Sequence, residues 1–111
     1  MAFKGDLEAL VLGVLQDGDL HGYEISKRIK QTGSQALQVW EGQLYPALHK
    51  LEQEGWITAE WKQTENNRRA KFYSLTRMGR QQLESEAANW HRLSTAISQI
   101  VQLAEGQTSE A

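Results

Sequence analysis

Cysteine is absent from the 111 residues, so neither a disulfide frame nor a cysteine-based metal or redox site is available. Long apolar runs are absent too. The run near the N-terminus, Ala9 to Leu15, falls far short of the roughly 20 residues that a bilayer-spanning helix needs. The same stretch, "MAFKGDLEALVLGVL", carries an acidic residue on each side of Leu7 and no small-residue cleavage site, unlike a secretory leader. These absences point to a cytoplasmic protein without membrane contact. No Gly-rich phosphate loop and no acid–base pair on a shared face is visible, which points away from an enzyme. His21, His49 and His91 lie far apart on different predicted helices, which argues against a metal site. No cofactor is expected. Proline occurs once, at Pro46, and inside a segment of helical spacing.

What is present fits one soluble domain with one modest core: 40% hydrophobic and 23% charged residues. The net charge of −2 is unevenly spread. Residues 1–42 carry four Lys/Arg and six Asp/Glu, residues 43–80 seven and four, and residues 81–111 one and four. The central excess of positive charge is the kind of footprint that phosphate binding needs, although an ordinary solvated surface gives the same count.

The periodicities predict mainly helix with a small β-hairpin. Asp6 is placed to cap a first helix, whose stripe of Leu7, Leu10, Val11, Val14 and Leu15 is wide enough to touch more than one partner. "LHGYEISKRIKQTG" reads as a second helix, with Tyr23, Ile25 and Ile29 inward and Gly33 as its stop. Ala36 to Val39 reads as a very short strand. "EGQLYPALHKLEQEGWI" is a third helix built on Leu44, Leu48 and Leu51 and stopped by Gly55. "WITAEWKQ" and "AKFYSL" alternate around the polar turn "TENNRR", whose asparagines tolerate left-handed backbone, and so predict a hairpin. Thr76 caps a long fourth helix that ends near Ala104 or Glu105, with residues 106–111 as a frayed polar tail. Trp40, Trp56 and Trp61 are expected to seal the core.

Three helices followed by a hairpin is the order of a winged helix-turn-helix, here residues 1–76, in which the third helix enters the major groove of double-stranded DNA. That assignment explains the third helix. With a start near Gln43, Pro46 falls in the first turn, where a missing N–H costs little. Gln43, His49 and Lys50 are hydrogen-bonding groups that reach base edges or phosphates. Tyr45 is open between DNA contact and the edge of the core. Arg68, Arg69 and Lys71 on the wing suit phosphates or a narrow minor groove.

Three stretches, "HGYEI", "GQLYPALHKLEQEGWI" and "NNRRAKFYSLTRMGRQQL", resemble in order and spacing the signature blocks of the PadR family of transcriptional regulators. The resemblance runs from about Leu7 to Trp90. It implies a homodimeric winged-helix repressor of the short form, with a single C-terminal dimerisation helix. By it, Tyr23, Gln43, Tyr45, Pro46, His49 and Lys50 face DNA, and Arg68, Arg69 and Lys71 belong to the wing. Gln43 departs from the small hydroxyl or similar residue usual in the family, so base preference there does not carry over.

The helix over residues 77–104 spans about 40 Å at 1.5 Å per residue, beyond the reach of a three-helix core. Its apolar stripe calls for a second copy of the chain, with Leu83, Ala87, Trp90, Leu93, Ile97 and Ile100 near the seam and Leu7, Leu10 and Val11 of the first helix beside them. A two-fold dimer calls in turn for an inverted-repeat operator. In some regulators that resemble this one, a tryptophan on the C-terminal helix stacks against flat aromatic compounds. Trp90 is the corresponding residue, which makes a small aromatic effector an expectation to test, against a tightly packed seam with no cavity. The competing functional class is a winged helix that binds protein as a scaffold, and a third is one that binds RNA. The basic, polar character of Gln43, His49, Lys50, Arg68, Arg69 and Lys71 favours nucleic acid over a protein partner.

Overall fold

The computed structural model describes the backbone of residues 4–33 and 37–110, and the side chains of residues 7–33 and 37–105. Helix α1 (Lys4–Val14) runs into a short 3-10 turn, Leu15–Asp17. Strand β1 (Leu20–His21), helices α2 (Gly22–Thr32) and α3 (Glu41–Gln53), the hairpin β2 (Ile57–Gln63) and β3 (Arg69–Leu75), and helix α4 (Arg77–Glu110) follow. The first helix starts at Lys4, so Asp6 lies in its first turn and not at the cap. The expected strand at 36–39 is absent over Leu37 to Val39, and Ala36 lies outside the described residues. A strand does form at Leu20–His21, where two residues are too few to show alternation. It pairs antiparallel with β3, giving the sheet order β1-β3-β2.

Helix α1 is central because its apolar positions are not confined to one stripe. Val11 and Leu12 are adjacent and both fully buried, and α1 touches α2, α3 and α4. Val11 therefore belongs to the core of one copy and offers no surface to a second; Leu7 and Leu10 pack against the same core. Ile25 and Ile29 of α2 and Leu44, Leu48 and Leu51 of α3 fill it from the other sides. Ile57 and Tyr73 close it from the sheet. Each such aliphatic side chain contributes about 1.5–3 kcal/mol by leaving water.

Helix α3 ends where the sequence says it should. The N–H of Gly55 donates to the Glu52 carbonyl and that of Trp56 to the Leu51 carbonyl, satisfying two of the last carbonyls of the helix. The hairpin register, with Ile57 opposite Leu75, Ala59 opposite Tyr73 and Trp61 opposite Lys71, puts the two alternating sets on one face. Asn67 takes the left-handed conformation, with φ of 60°, as the turn requires. Thr76 caps α4 through the Gly79 N–H at 3.0 Å. The helix continues to Glu110, past the expected end at Glu105.

Candidate nucleic-acid interface

Helix α3 begins at Glu41 with Trp40 as its cap, so Pro46 is in the second turn and not the first. It has no N–H for the carbonyl of Gly42, one turn back. Both residues are exposed, and no neighbour crowds Gly42. Gly42, Pro46, His49 and Gln53 recur at four, three and four residues and are all exposed, so they form one ridge opposite the buried leucines. The ridge carries no carboxylate, lysine or arginine, and His49 and Gln53 supply hydrogen-bonding groups. Sequence spacing does not single out Gln53, because it lies beside the helix stop.

The other expected α3 residues are engaged with the protein. The Trp40 N–H donates to Gln43 Oε1 at 3.4 Å, so that side chain turns back to cap its own helix. Lys50 Nζ lies 3.4 Å from Glu8 of α1. Tyr45 is half exposed, and its ring lies over Gly22 at the start of α2: a Cβ built there would meet the hydroxyl at 2.6 Å. A Cβ at this position would displace the end of the Tyr45 side chain. Tyr45 therefore packs α3 against α2 with one side of its ring and stays open to solvent on the other.

Tyr23 points out of the fold, not in; it is 69% exposed. Tyr23, Lys27 and Lys30 stand four and three residues apart, which places them on one outward ridge of α2. Among the described residues, neither these two lysines nor Arg28 has a carboxylate within ion-pair distance. Segment charge counts hide this ridge, since residues 1–42 sum to a negative value. Conversely, three lysines of the basic central segment are offset by carboxylates: Lys50 by Glu8, Lys62 by Asp19 at 2.9 Å and Lys71 by Glu52 at 3.3 Å. Lys71 thus lies between β3 and α3, not at the wing tip. Asp19 is held below the usual carboxylate range by hydrogen bonds from Lys62 and then Ser74. Tyr73, beneath Lys71, is pushed up by burial and by the nearby Glu52 carboxylate.

At the wing, Arg68 and Arg69 are both exposed. The Arg69 guanidinium lies 5.6 Å from the ring centre of Trp61. Trp40 and Trp61 do not seal the core; they are 64% and 57% exposed, at the start of α3 and on the wing. Trp56 alone of the three is packed against the core. On α4, Trp90, Leu93, Ile97, Ile100 and Val101 are exposed, whereas Leu83 is taken up by the core of its own chain. A shallow groove on α4 is lined by Ser85, Glu86, Ala88, Asn89 and Arg92 and does not include Trp90. Among the described residues no helix is long and apolar enough to cross a membrane.

Three helices, a short strand and a wing define a winged helix-turn-helix protein. Residues 11–85 match the model of the transcriptional regulator PadR-like family, and the chain belongs to that family, whose members are regulators and not enzymes. The chain is 36% identical over 77 residues to the negative transcriptional regulator PadR of Bacillus subtilis (strain 168), covering 69% of this chain and 42% of that protein. A PadR-like transcriptional regulator from Bacillus cereus strain ATCC 14579 superposes with a TM-score of 0.79 at 30% identity, over 90% of this chain and 95% of the other. B. subtilis PadR in complex with operator DNA matches with a TM-score of 0.67 at 34% identity, over 74% of this chain and 45% of that one. The chain thus spans less than half of the B. subtilis protein.

Proposed function

We propose that this chain is a homodimeric repressor that binds double-stranded DNA at an inverted-repeat operator. The α3 ridge of Gly42, Pro46, His49 and Gln53 enters the major groove, where His49 and Gln53 meet base edges. Tyr23, Lys27 and Lys30 on α2 and Arg68 and Arg69 on the wing take the phosphates on either side. The observation that carries this reading is the distribution of free charge. Lys27, Arg28, Lys30, Arg68 and Arg69 have no carboxylate partner among the described residues, whereas Lys50, Lys62 and Lys71 are each offset by one. Likeness to a family member solved with operator DNA supports it. Selection of bound duplexes from a random pool, followed by footprinting, is expected to return two half-sites in inverted orientation. In the same assay, Lys27→Ala and Arg68→Ala should each lower the slope of log affinity against log salt by about 1, the effect of one phosphate no longer neutralised. Failure of the wild-type chain to retard any duplex at micromolar concentration and low salt sinks the reading and leaves a protein-binding scaffold in its place.

Release of DNA by a planar aromatic effector stacked on Trp90 belongs to the same proposal. It is supported by the exposure of Trp90 at 59% and by the small exposed neighbours Ala87 and Ala88. Saturable quenching of tryptophan fluorescence by a panel of planar cations and phenolic acids, abolished in Trp90→Phe, is the expected result. No response across the panel leaves Trp90 as a packing residue of the seam.

A further inference from the structure

The wing holds its two arginines differently. Arg68 follows the turn, and its N–H donates to the Thr64 hydroxyl at 3.3 Å while its side chain is exposed. Arg69 opens β3 opposite Gln63, and its guanidinium lies 5.6 Å from the ring centre of Trp61. Two positions along each strand place Trp61 and Arg69 on the same face of the hairpin as Ala59 and Tyr73, but nearer the tip than the core extends. Trp61 therefore keeps the apolar alternation of its strand without burial; it is more than half exposed.

An indole so exposed stabilises the fold little, because its area lowers the free energy only when water leaves it. What it does offer is a way to hold a cation that differs from that of a carboxylate. The lysines at 50, 62 and 71 each lie within 3.4 Å of an acidic side chain, which offsets the ammonium charge. A ring holds a guanidinium through its face, leaving the formal charge and the N–H donors available. We propose that Trp61 is a positioning residue for Arg69: it fixes the guanidinium on the inner face of the wing without neutralising it, so that Arg69 meets a DNA phosphate already ordered. This rests on the DNA-binding reading above. Arg69 is the group that touches phosphate, and Trp61 acts through it.

The test uses the full chain and a duplex recovered by selection with the wild-type protein. Trp61→Leu keeps an apolar side chain on the face and removes the ring system; Trp61→Phe keeps a ring. Arg69→Ala and the double variant Trp61→Leu with Arg69→Ala complete a cycle, with circular dichroism melting as the check on folding. Trp61→Leu is expected to weaken binding about three- to five-fold, the scale of an exposed cation–π contact, and Trp61→Phe to recover most of it. Arg69→Ala is expected to cost less when Trp61→Leu is already present than in the wild type. Additive losses, or equal affinity for the Leu and Phe variants, overturn the positioning role while DNA binding stands. Wild-type protein that recovers no duplex at all overturns both.

Discussion

The corner between the hairpin and α4 turns on two residues, Thr76 and Gly79. The Thr76 hydroxyl donates to the Gly55 carbonyl at 2.7 Å and accepts from the Gly79 N–H at 3.0 Å, so one side chain caps α4 and ties it to the end of α3. Gly79 is buried with its α-carbon against the carbonyl of Trp56, leaving no room for a Cβ. Gly79→Ala meets backbone there, not a flexible side-chain end. It should lower stability by about 1–3 kcal/mol, measured by urea unfolding, despite the better helix propensity of alanine. Lys50→Ala and Lys71→Ala should weaken duplex binding less than Lys27→Ala or Arg68→Ala, because Glu8 and Glu52 already offset the former pair. Equal losses for all four variants in a gel-shift titration contradict that ordering.

The sheet is stitched to the turn before β1 by Asp19 and Lys62, one residue at the entry to the shortest strand and one in the wing. The Asp19 carboxyl is held low chiefly by the hydrogen bond from Lys62, while Lys62 is pushed up by the same bond. A carboxyl with a depressed pKa in the folded state adds stability above its unfolded value of about 3.9. That contribution drains away as pH falls through the folded value. Both side chains are well exposed to solvent, so the contribution is small and screened by salt. Lys62→Ala should raise the Asp19 midpoint in a carbon-detected NMR titration and change the melting temperature little at neutral pH. An Asp19 midpoint that does not move would leave β1 held by its backbone pairing with β3 alone.

At the scale of the molecule the dominant feature is length: principal extents of 62 × 28 × 23 Å, most of the long dimension coming from α4. Ala87, Trp90, Ser94, Ile97 and Val101 alternate at three and four residues, a heptad seam, and Leu93 and Ile100 flank it. Val101 extends the expected set. An exposed stripe of this kind is a liability in a lone chain and a contact surface in a dimer. The double variant Leu93→Asp with Ile97→Asp should sediment as a monomer and lose most operator affinity, because two joined half-sites become one. Sedimentation of the intact wild-type chain as a monomer at micromolar concentration would sink the dimer.

Elements that rest on local signals are legible in the residue order alone. Periodicity marked α2 and α3, alternation around "TENNRR" marked the hairpin, and Thr76 marked the start of α4, because spacing, turn chemistry and caps act over a few residues. The family blocks were legible for the same reason, since each is a short string at a fixed place in the order. Which side chains find partners on other elements depends on the folded chain. Lys50, Lys71 and Gln43 looked free, but their partners are Glu8, Glu52 and the Trp40 N–H. The two ion pairs reach another element, and the cap depends on a helix start that periodicity left two residues late. Tyr23, Trp40 and Trp61 looked buried by residue type and emerged exposed, because burial depends on what stands opposite. Strand β1 was invisible at two residues, since only its pairing with β3 makes it a strand.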